Sequence, residues 1–105
     1  MSFLIVLITM GKHISNDQKL VASTELLKQK VDGEYVLVNL ENQNYYALDL
    51  VGSRIWDVLL EGESTQASVE LLLEEYEVER ERLEPDIEAL IGDLTSSGLA
   101  KLVSV

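Results

Sequence analysis

The 105-residue chain contains no cysteine, one proline and one histidine, His13. Without cysteine it cannot form a disulfide, a Cys-ligated zinc or iron–sulfur site, or a thiol nucleophile, which fits a reducing compartment. A single histidine disfavours a histidine metal site and a Ser-His-Asp triad. These absences predict a cytoplasmic protein with no metal, no cofactor and no catalytic centre.

Glycine-rich and nucleophile motifs are missing as well. Gly33, Gly52 and Gly62 are isolated glycines in predicted turns or at helix ends, so no phosphate-binding loop is predicted. Ser96 and Ser97 have no histidine near them in the sequence. The paired carboxylates fall on predicted surface helices, where they are normally solvated rather than catalytic. We therefore expect a protein that is not an enzyme.

Basic residues are scarce: 8 Lys and Arg stand against 19 Asp and Glu, a formal net charge of −11. The third predicted helix, which would enter the major groove in a DNA-binding winged helix, carries Glu84, Asp86, Glu88 and Asp93 and no basic residue. Nucleic-acid affinity depends on Lys and Arg that neutralise phosphates. The composition therefore excludes nucleic acid as a partner.

The negative charge is unevenly distributed. Residues 1–52 carry −2, whereas residues 53–105 carry −9 from four basic and thirteen acidic residues. Solvated helix faces are the ordinary explanation for such a run of acids. The alternative interpretation is that this half of the chain contacts a basic partner.

Apolar residues make up 47% of the chain, which predicts one folded globular domain. Residues 3–8 are six consecutive large apolar residues, far fewer than the roughly 20 that span a bilayer, and no basic segment precedes them as in a signal peptide. No membrane is therefore expected as a partner. Their β-branched content predicts a strand along a sheet edge, in the same or a neighbouring molecule. We expect residues 1–17 to form an N-terminal strand or extension and residues 18–105 to form the domain.

The pattern between residues 19 and 48 is typical of an antiparallel meander. Asp32-Gly33 is a dipeptide favoured in type I′ hairpin turns, and a polar segment at residues 41–44 forms the second turn. Residues rich in β-branched and aromatic side chains flank these turns. Three strands are predicted, at residues 19–31, 34–40 and 45–48.

From Asp49 onward the apolar residues recur with helical spacing. Asp49, and Ser64 or Thr65, are predicted N-caps, and Gly98 is the expected residue after the last helix. Because proline fits best in the first turn of a helix, Pro85 places the start of the third helix near Leu83. Three helices are predicted, over residues 50–60, 64–76 and 83–94, before an extended tail at residues 99–103.

These elements predict an α+β, winged-helix-like fold. A three-stranded antiparallel sheet, with residues 3–8 as a candidate additional strand, is followed by three helices. A three-stranded sheet cannot bury its apolar face alone, so the helices are expected to pack on one face of it.

Several segments resemble the PqqD family, over roughly residues 18–103. The segments that carry the resemblance are Tyr45-Tyr46-Ala47-Leu48-Asp49, Gly52-Ser53-Arg54-Ile55-Trp56, Leu83-Glu84-Pro85-Asp86-Ile87 and Gly98-Leu99. Two positions depart from the pattern: Asp49 stands where the family often has Asn, and Asn44 where it often has Gly. Since Asp and Asn both cap helices and tolerate turns, neither departure affects the predicted fold.

The resemblance implies binding of a peptide. PqqD-like proteins hold the leader segment of a ribosomally made precursor peptide and present it to a modifying enzyme. In that family the leader adds as a strand to the third β-strand and lies between that strand and the third helix, which correspond to residues 43–48 and 83–94. The peptide-binding residues implied are Gln43, Asn44, Tyr45, Tyr46, Ala47, Leu48, Leu83, Asp86, Ile87, Leu90 and Asp93.

Several alternatives stay open at this point. The partner enzyme is either a radical SAM enzyme or a protease and cyclase of lasso-peptide type. Strand alternation puts Tyr45 and Ala47 on one face and Tyr46 and Leu48 on the other, without saying which face lines the groove. The leader is expected to carry Lys or Arg opposite Asp86 or Asp93. A second class of function is a homodimerising module without a leader ligand, formed through residues 3–8, which could also occupy the groove themselves.

Overall fold

The computed structural model describes residues 17–105, so the strand predicted at residues 3–8 lies outside the described residues. Strands β2, β3 and β4 form a three-stranded antiparallel sheet in that order, and β1 pairs with β5 in a second sheet. The predicted α+β fold with a three-stranded antiparallel sheet and three helices is confirmed. The elements are β1 (Gln18–Ala22), β2 (Leu26–Val31), β3 (Glu34–Asn39), β4 (Tyr45–Leu48), α1 (Leu50–Glu61), α2 (Thr65–Tyr76), α3 (Arg80–Ser96) and β5 (Ala100–Ser104).

The first predicted strand is divided in two. A turn separates β1 from β2, in which Leu26 N donates to Ser23 O at 3.2 Å and Glu25 N donates to Ser23 Oγ at 3.2 Å. β1 then leaves the meander and pairs antiparallel with β5, the segment predicted as an extended tail. Pairing between the two ends of the domain is a long-range property that local sequence pattern does not reveal.

The hairpin between β2 and β3 has the predicted type I′ turn. Asp32 and Gly33 both have positive φ, 54° and 85°, as this turn type requires at its two central residues. The turn fixes the register in which Val31 faces Glu34 and Leu26 faces Asn39. The second hairpin, between β3 and β4, also contains a left-handed residue, Gln43 at φ 64°.

The predicted caps of the first two helices are confirmed. Asp49 accepts a hydrogen bond from Gly52 N at 2.7 Å and begins α1. Ser64 accepts one from Ala67 N at 3.1 Å and begins α2. Each cap satisfies one of the backbone N–H groups that have no partner inside the helix.

The third helix begins earlier than the sequence predicts. α3 begins at Arg80 rather than near Leu83, so Pro85 lies in the second turn. The carbonyl of Glu79 accepts hydrogen bonds from Arg82 N and Leu83 N, which forms the first turn without a side-chain cap. Pro85 then costs a single backbone hydrogen bond, the one its missing N–H would have donated to Glu81.

The core lies between the inner face of the three-stranded sheet, the β1–β5 pair and the three helices. No helix within residues 17–105 is long and apolar enough to cross a membrane. Trp56 is among the side chains buried in the core. Each large side chain buried in this way contributes about 1.5–3 kcal/mol of hydrophobic stabilisation. The largest fully buried apolar side chains are Leu20, Leu37, Leu59, Val69, Leu72, Ile87, Leu94 and Leu99.

The C-terminus of α3 requires glycine at position 98. Gly98 has φ 74°, and the bonds from Gly98 N to Thr95 O and from Leu99 N to Leu94 O form a Schellman motif. A Cβ added here would lie 3.0 Å from the side-chain nitrogen of Asn42. Gly92, inside the same helix, has open space around the position of its missing Cβ.

We therefore predict opposite effects for two glycine substitutions on α3. Gly98→Ala is expected to lower the free energy of unfolding by about 1–2 kcal/mol, because an L-residue is strained at positive φ. Gly92→Ala is expected to raise it by about 0.5–1 kcal/mol through helix propensity. Urea denaturation measures both, and equal losses in the two variants would contradict the prediction.

Candidate functional site

β4 forms one edge of the three-stranded sheet, since β3 is its only partner strand within residues 17–105. Asn39 and Asn44, the residue pair that follows the β3–β4 ladder, are hydrogen-bonded, because Asn39 N donates to Asn44 O at 2.8 Å. Hydrogen-bonded and non-hydrogen-bonded pairs alternate along antiparallel strands. Tyr45 and Ala47 therefore occupy non-hydrogen-bonded positions, and their N–H and C=O groups point to the open edge.

The side chains of β4 divide between the two faces of the sheet. Tyr46 is half-buried and Leu48 is buried, so both face the helices. Tyr45 is 72% exposed and lies with Ala47 on the outer face. The structure thus decides what the sequence left open: Tyr46 and Leu48 are the pair on the side of α3.

Ser53 holds the first turn of α1 against the end of β4. Its hydroxyl accepts a hydrogen bond from Tyr35 N at 3.0 Å and donates one to Leu48 O at 3.2 Å. The hydroxyl thereby bridges the Tyr35 N–H and the Leu48 carbonyl at the end of the ladder. As a result, the N-terminus of α1 lies directly beside the last residue of the edge strand.

A groove of about 340 Å³ opens between β4, the first turns of α1 and the middle of α3. Its walls combine apolar side chains with carboxylates. Six of the eleven residues implied by the family resemblance line it: Tyr46, Ala47, Leu48, Asp86, Leu90 and Asp93. The remaining lining residues are Asp49, Val51, Gly52, Ile55 and Ala89.

The other implied residues lie outside the groove wall. Leu83 and Ile87 are buried in the core, 8% and 0% exposed, where they support α3 from beneath. Gln43 and Asn44 lie in the exposed turn before β4, and Tyr45 faces the opposite side of the sheet. Contact of any of the eleven residues with a peptide stays a prediction.

Sequence reasoning missed the contribution of α1. Val51 and Ile55 recur at helical spacing and were predicted only as part of a packed helix, and Asp49 only as its cap. The sequence signal that could have indicated this contribution is the absence of a linker between the strand and the helix, since α1 begins at Leu50, two residues after β4 ends. Helix residues so close to the end of an edge strand must lie beside whatever that strand binds.

Asparagine side chains join the C-terminus of α3 to the β3–β4 hairpin. Asn39 Nδ2 donates to Gly98 O at 2.6 Å, and Asn44 Nδ2 donates to Ser97 O at 3.0 Å. These bonds fasten the carbonyl-rich C-terminus of α3 to the turn that precedes β4.

A side-chain hydrogen bond joins the two sides of the groove. The Tyr46 hydroxyl donates to Asp93 Oδ2 at 2.9 Å and so joins β4 to α3. This hydrogen bond, more than the partial burial of the ring, raises the pKa of Tyr46 above the usual value near 10. The tyrosine ring is thereby held as one wall of the groove.

The charge of the groove has one sign. Asp49, Asp86 and Asp93 line it, and no Lys or Arg is among its lining residues. A peptide that enters this space meets apolar side chains flanked by carboxylates. The electrostatic complement of such a surface is a basic, partly apolar segment.

The opposite edge of the sheet differs in character. β2 exposes nearly all its residues, and Lys28 and Lys30 lie over the ring of Tyr35, with Nζ 4.5 and 5.9 Å from its centroid. Lysines on an edge strand discourage pairing with a further strand. The described part of β4 carries no charged residue, so it is the edge that is open to strand addition.

No group of His, Asp and Glu within residues 17–105 is arranged to hold a metal ion. An uncharged edge strand with unpaired backbone groups, next to an apolar groove, is typical of domains that take up an extended peptide by strand addition. The fold and the site therefore define this class of domain.

Comparison with known proteins identifies the family. The model for coenzyme PQQ synthesis protein D (PqqD) matches residues 34–100, and the chain belongs to this family. TbiB1, solved in complex with the TbiA(beta) leader peptide, is 33% identical with a TM-score of 0.70, covering 77% of this chain and 94% of its own. A lasso peptide synthetase B1 complexed with the leader peptide is 31% identical with a TM-score of 0.69, covering 79% and 98%. Among curated proteins there is no match.

Because Asp93 raises the pKa of Tyr46, Asp93→Asn is expected to lower it toward 10. The raised pKa means that the hydrogen bond adds stability at pH values below about 10 and loses this contribution as the pH rises through the raised pKa. Tyrosine-selective ¹³C NMR titration measures the shift. Asp86→Asn is the matched control, and an equal shift in that variant would contradict the assignment to Asp93.

Proposed function

We propose that this protein is a non-catalytic binding protein that holds the leader segment of a precursor peptide and presents it to a separate modifying enzyme. The observation that carries the proposal is the open edge of β4 beside an apolar groove. Support comes from the two similar structures, both solved with leader peptides. The leader would add to the sheet as a strand antiparallel or parallel to β4.

Main-chain hydrogen bonds would supply part of the affinity. Tyr45 and Ala47 offer two N–H and two C=O groups at the edge, and each hydrogen bond formed contributes about 0.5–1.5 kcal/mol net. These bonds are independent of the leader's sequence. They make the protein competent to hold a strand without deciding which strand it holds.

Specificity would come from the groove, because alternate side chains of an added strand point to the same face. On the inner face these side chains would meet Leu48, Ile55 and Leu90, which present an apolar surface next to the Tyr46 ring. An apolar or aromatic leader side chain fits this surface by hydrophobic contact. Side chains on the outer face would lie beside Tyr45.

The proposal also includes the class of the partner enzyme. One of the two similar structures is a lasso peptide synthetase B1, which favours a protease and cyclase over a radical SAM enzyme. Binding of a leader and transfer to such an enzyme need no catalytic group on this chain. We place this function in the cytoplasm, where ribosomal precursor peptides are made.

Ala47→Pro tests strand addition directly. The Ala47 N–H points to the open edge, so proline there removes an edge donor and crowds the incoming strand while leaving the β3–β4 bonds intact. We expect affinity for the TbiA(beta) leader peptide to fall at least about tenfold, as measured by isothermal titration calorimetry.

Lys28→Pro is the matched control, because the Lys28 N–H points outward from the other edge of the same sheet. Circular dichroism establishes that both variants fold. Unchanged binding by Ala47→Pro, or an equal loss in Lys28→Pro, would show that the peptide does not add to β4.

A further inference from the structure

We propose that the groove selects leaders that carry a Lys or Arg next to the apolar side chain in the groove, and that Asp86 is the specificity-determining residue that receives this cation. This inference rests on the proposed function and names the leader chemistry that the same site would read. Three carboxylates line the groove, and their hydrogen bonds distinguish them.

Asp49 is committed to the helix that it caps. One of its carboxylate oxygens accepts the Gly52 N–H at 2.7 Å, at the N-terminus of α1. The partial positive charge of a helix N-terminus stabilises an acid in this position and offsets part of its charge. Asp49 therefore presents a reduced charge to a ligand in the groove.

Asp93 is hydrogen-bonded to Tyr46. Its Oδ2 atom accepts a hydrogen bond from the tyrosine hydroxyl at 2.9 Å. A leader cation at Asp93 would have to share this carboxylate with the hydroxyl that holds the ring in the groove wall. The structural role of Asp93 thus argues against its use as the main cation receptor.

Asp86 has no hydrogen bond or ion pair within residues 17–105, although it lines the groove and is exposed. Arg82, one turn earlier on α3, forms no ion pair with it, and Arg80 pairs with Glu70 and Glu84. Asp86 is therefore the groove carboxylate whose charge is left uncompensated. It lies about one turn of α3, some 6 Å along the axis, from the apolar side chain of Leu90.

This arrangement gives the leader two requirements at a fixed spacing. An apolar side chain would lie against Leu48, Ile55 and Leu90, and a basic side chain would reach Asp86. A leader with Asp or Glu at the second position would be repelled, which excludes competing peptides as effectively as attraction favours the correct one. The net charge of −9 on residues 53–105 also favours a basic leader over an acidic one.

A random-peptide phage library, selected on the immobilised full-length protein, tests this without knowledge of the natural leader. For the wild type we expect Lys and Arg to be enriched about two- to fivefold at one position fixed relative to an apolar residue, as for a partly exposed ion pair. Asp86→Asn is expected to abolish this enrichment, and Asp86→Lys to replace it by Asp and Glu. Glu88→Gln, which removes one charge from α3 outside the groove, is the matched control and should keep the wild-type preference.

A double-mutant cycle completes the test. A selected peptide should bind the wild type about two- to fivefold more tightly than its Lys→Gln analogue, and this difference should vanish on Asp86→Asn. Binders without a basic position, or a preference that Asp86→Asn leaves unchanged, would overturn the inference while leaving strand addition intact. Binders that Ala47→Pro does not weaken would overturn the proposed function instead, and a selection that yields no binder would overturn both.

Discussion

The unpaired edge of β4 exposes backbone N–H and C=O groups of Tyr45 and Ala47, and such groups cost free energy when they are buried without partners. The fold must therefore keep this edge accessible while holding the strand in place from its other edge alone. β4 is only four residues long, which limits the number of unpaired groups. Its position is secured by the β3 ladder and by the Ser53 hydroxyl, which bridges Tyr35 and Leu48.

The same requirement accounts for how α3 is attached. If α3 packed directly onto β4, its side chains would fill the space that an added strand needs. Instead, polar bonds hold it at a distance: Asn39 and Asn44 bind the carbonyls of Gly98 and Ser97 at one end. The apolar residues of the helix, such as Ile87, pack on the core beneath it. The groove is the space left between β4, which the β3 ladder holds, and α3, which the asparagine bonds and the Tyr46–Asp93 bond join to the sheet.

Features that depend on neighbouring residues could be predicted from the sequence. The Asp32-Gly33 turn and the caps Asp49 and Ser64 are local arrangements of a few residues, and they occur as predicted. The predicted start of α3 was wrong by three residues, because the backbone hydrogen bonds to the Glu79 carbonyl outweigh the preference of Pro85 for the first turn of a helix.

Features that depend on distant residues could not be predicted from the sequence. The pairing of β1 with β5 joins the two ends of the domain, and no periodicity specifies it. Alternation predicted that Tyr45 and Tyr46 face opposite ways, but only the packed helices decide which one faces the groove. The Tyr46–Asp93 bond joins residues 47 positions apart, so the sequence could name both residues without indicating that they are partners.

The Tyr46–Asp93 hydrogen bond distinguishes two acidic residues that look alike in the sequence. Read from the sequence, Asp86 and Asp93 are equivalent carboxylates on one helix, part of a half-chain that carries −9. In the structure one of them supports the groove wall and the other has no partner within residues 17–105. Most of the remaining acids, including Glu70, Glu75 and Glu84 in their ion pairs with Arg80 and Arg54, lie outside the groove and serve solubility and helix contacts. Of the three carboxylates that line the groove, Asp49 and Asp93 already accept hydrogen bonds from the protein, which leaves Asp86 as the one without a partner within residues 17–105.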